Sequence, residues 1–432
     1  MAARTSRRAW WVFAAAGAAY FMAIMHRTAL GVAGVEALDR FGIGATGLAA
    51  LSITQIAAYA ILQVPAGRLL DRFGPRAVMV SGSLLMAVGQ VLMATTHNYT
   101  WALAARVLIG AGDAPIFISA SRLVAHWFPP RRAPQMVQLT AQIGQAGQLA
   151  TAIPVAWLLH AQGWSATFLV VAGMGAFAAV IVSTVRLPAA ADVGAVPATA
   201  TGGSPHTISR AGVRLGFWTH FTSLFSANTV ALLWGVPFFI TAQGRSVAEA
   251  SVLLTVLTLS KFVVSPFVGT ATARHPLRRS WMVLMFACVT AVAWTLLLIP
   301  STPRPMWQLV LFVMAIAAGG PVSLVGLDYA RTFADREHLG AATGLVNTGG
   351  FVSTIVAVGL VGAVLQLASP DGNYGLDAYR LAFAALAIPW AVGVIGILRN
   401  RSKARADWAA DGVVVPPLRE ALERRRLRRR GE

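Results

Sequence analysis

Twelve apolar runs constrain this chain more than any other feature. They cover roughly 9–33, 43–66, 76–96, 99–122, 136–160, 165–186, 214–240, 247–271, 280–300, 306–329, 340–367 and 378–398. A bilayer-crossing helix takes about 20 apolar residues, so each run is long enough to span. Lipid offers no hydrogen-bond partners, and a run placed there must satisfy its own backbone as a helix. Only 12% of the 432 residues are charged, where a soluble protein carries about 25%. The expectation is an all-α polytopic membrane protein with twelve transmembrane helices. Its abundant Gly and Ala residues suit close helix packing, because small side chains let backbones approach.

A net charge of +19 raises the question of nucleic acid, but the placement of the charges argues against it. Of 35 Lys and Arg, 28 fall in the two tails and in the connections after runs 2, 4, 6, 8 and 10, among them Arg72, Arg131, Arg210, Arg278 and Arg336. The opposite side holds only Arg40, Arg245, Arg304 and Arg380. This positive-inside asymmetry predicts an inner (plasma) membrane protein with both termini cytoplasmic, as an even number of spans requires. The N-terminal run is too long for a signal peptide and contains His26 and Arg27, so it reads as a first membrane helix. The single Cys288 excludes an internal disulfide.

The longest interior polar stretch, 187–213, has a linker's composition. It divides the chain into six-span halves at 1–186 and 214–398, followed by a basic tail at 399–432 that suits anionic headgroups. The two halves share a degenerate repeat. Gly67, Asp71, Arg72, Gly74 and Arg76 map at an offset of 202 onto Gly269, Ala273, Arg274, Pro276 and Arg278, with three of five identical. Duplicated halves around a central path are a transporter arrangement. The first copy, Gly-x-x-x-Asp-Arg-x-Gly-x-Arg, resembles the loop between helices 2 and 3 of major facilitator superfamily transporters. The resemblance implies two pseudo-symmetric six-helix bundles. It also implies a conformational gate at Gly67, Asp71, Arg72, Gly74 and Arg76, in which Asp71 accepts from arginines and from a neighbouring helix N-terminus.

Charged groups inside spans cost about 2.5–3.5 kcal/mol at the bilayer centre and so mark candidate sites. Five stand out there: His26, Arg27, Arg106, Asp113 and Lys261. Arg27 either offers a planar fork to a carboxylate substrate or makes a structural pair with Asp113. Arg106 and Asp113 are seven apart and share a helix face. Burial raises a carboxyl pKa and a nearby cation lowers it, so a carboxyl between these effects changes protonation when helices move. Asp113 with Arg106 is the candidate proton-coupling pair, and a permanently ionised pair is the alternative. His26 either shares that role or is a core histidine. Lys261 either completes an anion site or snorkels to the surface. Gln55, Gln142, Gln145 and Asn347 lie on polar stripes at helical spacing and are candidate substrate contacts. His26-Arg27-Thr28-Ala29-Leu30-Gly31-Val32-Ala33 and Asp113-Ala114-Pro115 resemble spans 1 and 4 of the anion:cation symporter branch of the superfamily. In that branch the span-1 arginine binds an organic anion and the span-4 acid takes a proton. Here His26 stands where the branch has an acid and Ala29 where it has Asn.

The function expected is proton-coupled uptake of a small organic anion by alternating access. No enzyme chemistry, cofactor, metal or nucleic acid is expected. Three alternatives share some of these features. Proton-antiport efflux of a drug-like substrate keeps the fold, but its Gly-x-x-x-Gly-Pro in span 5 is replaced by Gly144-Gln-Ala-Gly-Gln148. A nitrate/nitrite porter fits the Gly-rich segment around Asn347 but needs an arginine in span 2. Gly110-Ala-Gly112-Asp113 matches an intramembrane aspartyl protease, whose second carboxyl has no counterpart except the reversed Asp328-Tyr329.

Overall fold

Every element among the described residues, 7–43, 45–185, 210–369 and 374–410 of the computed structural model, is helical. Among the described residues ten stretches are long and apolar enough to cross a membrane, and two of them, Ala50–Thr95 and Ala133–Thr184, run for 46 and 52 residues. Each of these contains one break, at Gly74 (φ 77°) and at Gly163 (φ 74°). Counting the broken stretches twice gives twelve crossings, with turns where the apolar pattern predicts them. Positive φ favours glycine at both breaks, and Pro75 then opens the next helix, where its missing N–H costs nothing.

Four local features differ from expectation. The Gly67–Gly74 segment is not a loop but the closing turns of crossing 2, which stays helical up to the break at Gly74. Crossing 4 (Tyr99–Trp127) runs past residue 122, so Arg122 lies inside a helix and is buried. A short helix, Gly34–Phe41, follows crossing 1. Its Arg40 donates to the carbonyls of Ala94 and Thr96 at 3.0 and 2.9 Å, satisfying groups that the end of crossing 3 leaves open. The expected tail is also helical at its start, since Ala387–Ala410 continues past residue 399. Trp408 stacks on Phe333 at 4.9 Å and anchors this extension. Residues 186–209 and 411–432, hence most of the expected linker and tail, lie outside the described residues, and crossing 7 begins at Ala211.

The apolar interior is divided. One core, including Val12, Ala19, Met86, Ile109 and Val182, draws only on crossings 1–6. Another, built on Phe225, Phe238, Trp294, Phe312 and Phe383, draws only on crossings 7–12. Each half buries its own apolar face. The halves meet closely at glycines: Gly67 lies against the backbone of Gly340, Gly344 against that of Gln63, and Gly269 against Gln135. Gly67 and Gly269 are the two copies of the repeat. Each packs against the first turns of a crossing in the opposite half, Leu339–Ala368 and Ala133–Ala150 respectively. Large apolar side chains such as Ile61, Phe267, Met285 and Leu367 are exposed on the outside, a surface that water would not favour and lipid would.

Candidate functional site

Crossing 4 carries its carboxylate inward because glycines thin its flanks. Gly110 rests on the Gln55 carbonyl of crossing 2, and Gly112 on Gly82 and Met86 of crossing 3. A Cβ at either position would collide with backbone, so only glycine lets the helix sink this far. Asp113, one residue on, is fully buried. Its Oδ2 accepts from Nε of Arg27 in crossing 1 at 2.6 Å, with 0% and 21% of the two side chains exposed. The guanidinium also lies over the Tyr59 ring, 4.5 Å from its centroid, and faces Phe351 of the opposite half at 6.0 Å. Stacking on the face of an aromatic ring stabilises a cation. The Arg106–Asp113 ion pair expected from the sequence does not form. Arg106 turns away and donates to the Leu51 carbonyl at 3.3 Å.

Arg27 looks into a cavity of about 330 Å³ between the halves. This lies at the lower end of the roughly 300–1,000 Å³ range of small-molecule sites. Crossings 1, 2 and 5 supply Tyr20, Arg27, Tyr59 and Gln145, and the second half supplies Asn228 and Lys261. Among the described residues, no carboxylate lines it. Asp113 sits behind Arg27, off the wall. Lys261 reaches the cavity past Gly320, where an added Cβ would be 3.7 Å from its stem. It has no ion-pair partner among the described residues.

The remaining candidates divide by position. Asn347 joins the halves, donating to the Tyr59 hydroxyl at 2.9 Å and to Gln63 Oε1 at 3.0 Å. Gln142 lines the cavity but donates to the Phe262 carbonyl at 2.9 Å. That carbonyl is four residues before Pro266, whose missing N–H leaves it without its helical partner. Gln138 acts similarly, donating to Pro321 O at 2.7 Å while accepting from Ser265 at 2.6 Å. Of the five glutamines of Ala133–Ala150, Gln138 and Gln142 thus bind the halves together, as does Gln135, which donates to Thr270 at 3.1 Å, and Gln145 and Gln148 are left facing the cavity. Gln55 is buried off the cavity, and its side-chain amide has no partner. His26 is also buried away from the cavity, with neither ring nitrogen bonded.

The gate candidates gather at the arginine-rich end. Asp71 accepts from the backbone N–H groups of Gly340 and Ala341 at 2.8 and 2.9 Å, and it pairs with Arg122. The two N–H groups open crossing 11, so a carboxylate of one half caps a helix of the other. Arg76 donates to the Ser183 carbonyl, while Arg72 lies over Phe73 at 5.1 Å. The second half holds a counterpart with its polarity exchanged: Arg279, next to the repeat, pairs at 2.7 Å with Asp328 of crossing 10, which also binds Arg331. Sequence reasoning missed Arg122 and Asp328 as partners. The available signal was one unmatched charge near the end of runs 4 and 10, opposite a charge in the repeat. The pairing also removes the protease dyad, since Asp113 and Asp328 lie in different halves and each is held by its own arginine.

The sequence matches the family described as Major Facilitator Superfamily over residues 16–242 and 216–430. It is 22% identical over 381 residues to a probable galactarate/D-glucarate transporter, GudP, of Escherichia coli K12, covering 78% of this chain and 83% of the relative. It is 27% identical over 164 residues to a probable L-galactonate transporter of the same strain, an alignment spanning 37% of this chain and 36% of that one. Its fold is similar to that of the proton:xylose symporter XylE, with a TM-score of 0.70 at 13% identity, covering 91% of this chain and 95% of the other.

Proposed function

The chain belongs to the Major Facilitator Superfamily and is a secondary transporter, and from that premise we propose that it takes up a small organic anion of the sugar-acid kind, driven by protons. One observation carries the reading: the central cavity is walled by two cations, amides and aromatic faces, with no carboxylate on it among the described residues. Such a lining attracts an anion and offers hydroxyl groups partners at Gln145 and Asn228. The sugar acids for which these relatives are named agree with this chemistry.

Asp113 and Arg27 perform the coupling. While Asp113 is ionised it holds Arg27 by its Nε, and the Nη2 nitrogen of Arg27 is unpartnered. A substrate carboxylate competes for the same fork, and a proton on Asp113 frees the guanidinium to bind it bidentately. The halves, 1–186 and 214–398 joined by the linker 187–213, then rock about the cavity. The arginine-rich end faces the cytoplasm of the inner membrane by the positive-inside rule. There the Asp71 cap and the Gln142 and Gln138 bonds close the path and must break for release.

Uptake by proteoliposomes, with and without an imposed proton gradient, tests this. Wild-type vesicles should accumulate a radiolabelled sugar acid only with the gradient. Asp113→Asn should abolish accumulation while retaining exchange, and Arg27→Ala should lose substrate protection against thermal unfolding. Full gradient-driven accumulation by Asp113→Asn would remove the coupling role. Export of the acid under the same gradient would favour the efflux reading.

A further inference from the structure

We infer that the cavity is built for a dianion, with one acid group on Arg27 of the first half and the other on Lys261 of the second; this rests on the anion-transport reading above. The argument starts from charge. Arg27 has a counter-ion in Asp113 at 2.6 Å. Lys261 lines the same cavity from crossing 8 and has none among the described residues. A lysine ammonium held within a span without a partner is costly, and its long stem does not carry it out to the surface here: it lies along Gly320 and lines the cavity. Such an arrangement persists when a ligand supplies the missing charge.

The two cations sit on opposite halves. Once Asp113 carries the proton that releases Arg27, a ligand with one acid group neutralises one of the two cations and leaves the other unpaired in a closing, low-dielectric space. A ligand with acid groups at both ends neutralises both when Asp113 carries the proton that releases Arg27. Two positive side chains, a neutral Asp113 and two carboxylates sum to zero, the charge state that a site sealed from water favours. Such a ligand also ties the halves together across the cavity, so binding and closure become one event. His220 is the remaining titratable lining group that is not an aromatic hydroxyl. It sits against Gly350, and its Nδ1 is unpartnered, so it adds no fixed negative charge.

The test compares acids matched in length. Full-length protein in detergent is titrated with D-glucarate against D-gluconate, and with succinate against butyrate, following thermal unfolding and displacement of a radiolabelled acid. The diacid of at least one pair should bind about tenfold or more tightly than its monoacid. Lys261→Gln should cost that diacid a larger factor than it costs the monoacid, so that the preference disappears, and Lys261→Arg should restore it. Equal affinity for both members of each pair, or a Lys261→Gln loss of the same factor for both, would overturn the dianion assignment and leave anion transport standing. Protection by none of the four acids would count against the anion reading itself, and the dianion site would fall with it.

Discussion

Replacing Asp71 by Asn tests the closure at the arginine-rich end with almost no change in shape. The carboxylate accepts two backbone N–H groups of crossing 11 at 2.8 and 2.9 Å and holds Arg122, whose side chain is only 3% exposed. Hydrogen bonds to a charged acceptor contribute about 1.5–3 kcal/mol each, and an anion at a helix N-terminus adds about 0.3–1 kcal/mol. Asparagine keeps one acceptor oxygen, turns a donor toward the second N–H and removes the charge that Asp71 sets against Arg122. Arg122 and Asp71 belong to the same half, so part of that last loss is common to open and closed states. A net penalty of about 3 kcal/mol against the closed state follows, or roughly a 100-fold shift of the equilibrium. The assay uses Thr343→Cys in a Cys288→Ser background, because Thr343 lines a narrow space between the halves at this end. We predict that Asp71→Asn raises the rate of labelling by a polar maleimide by one to two orders of magnitude (about 10- to 100-fold), with the melting temperature of the detergent-solubilised protein changed little. An unchanged labelling rate would refute the reasoning, because the cap would then contribute nothing to closure.

Gly67→Leu should act the opposite way to a loosened cap in shape but the same way in effect. Its side chain has no room against the Gly340 backbone, so labelling at Thr343→Cys should rise and uptake should fall by about tenfold or more. Gln142→Ala leaves the proline-freed Phe262 carbonyl without its cross-half donor, an expected loss of about 1–3 kcal/mol from the closed state, visible as faster labelling but with substrate affinity within twofold (about the scatter of such comparisons). Arg27→Met should destabilise the fold by about 3–5 kcal/mol by stranding a fully buried carboxylate. The double variant with Asp113→Asn should regain most of that stability in chemical denaturation while remaining inactive, and strictly additive losses would rule out the pairing as the cause.

The crossings, the positions of the two breaks, the arginine-rich end and the family were legible in the order of residues, because each depends on local composition. An apolar run of bilayer length has no stable alternative to a helix, and a turn between two such runs is marked by Gly74-Pro75 or Gly163. His26, Arg27, Arg106, Asp113 and Lys261 were legible for the same reason, since a charge well inside an apolar run stands out. Which groups touch was decided only by tertiary packing. Helical spacing put Arg106 and Asp113 on one face, yet the depth to which Gly110 and Gly112 let crossing 4 sink gave Asp113 to Arg27 instead. Gln55 and Gln142 look alike in sequence, but one is buried off the cavity and the other binds a carbonyl that Pro266 set free. Arg122 meets Asp71, and Asp71 meets crossing 11, across separations of 51 and 269 residues. Periodicity reports the face of a helix; the neighbour on that face is set by how closely backbones approach, and that is a property of the packed pair of halves.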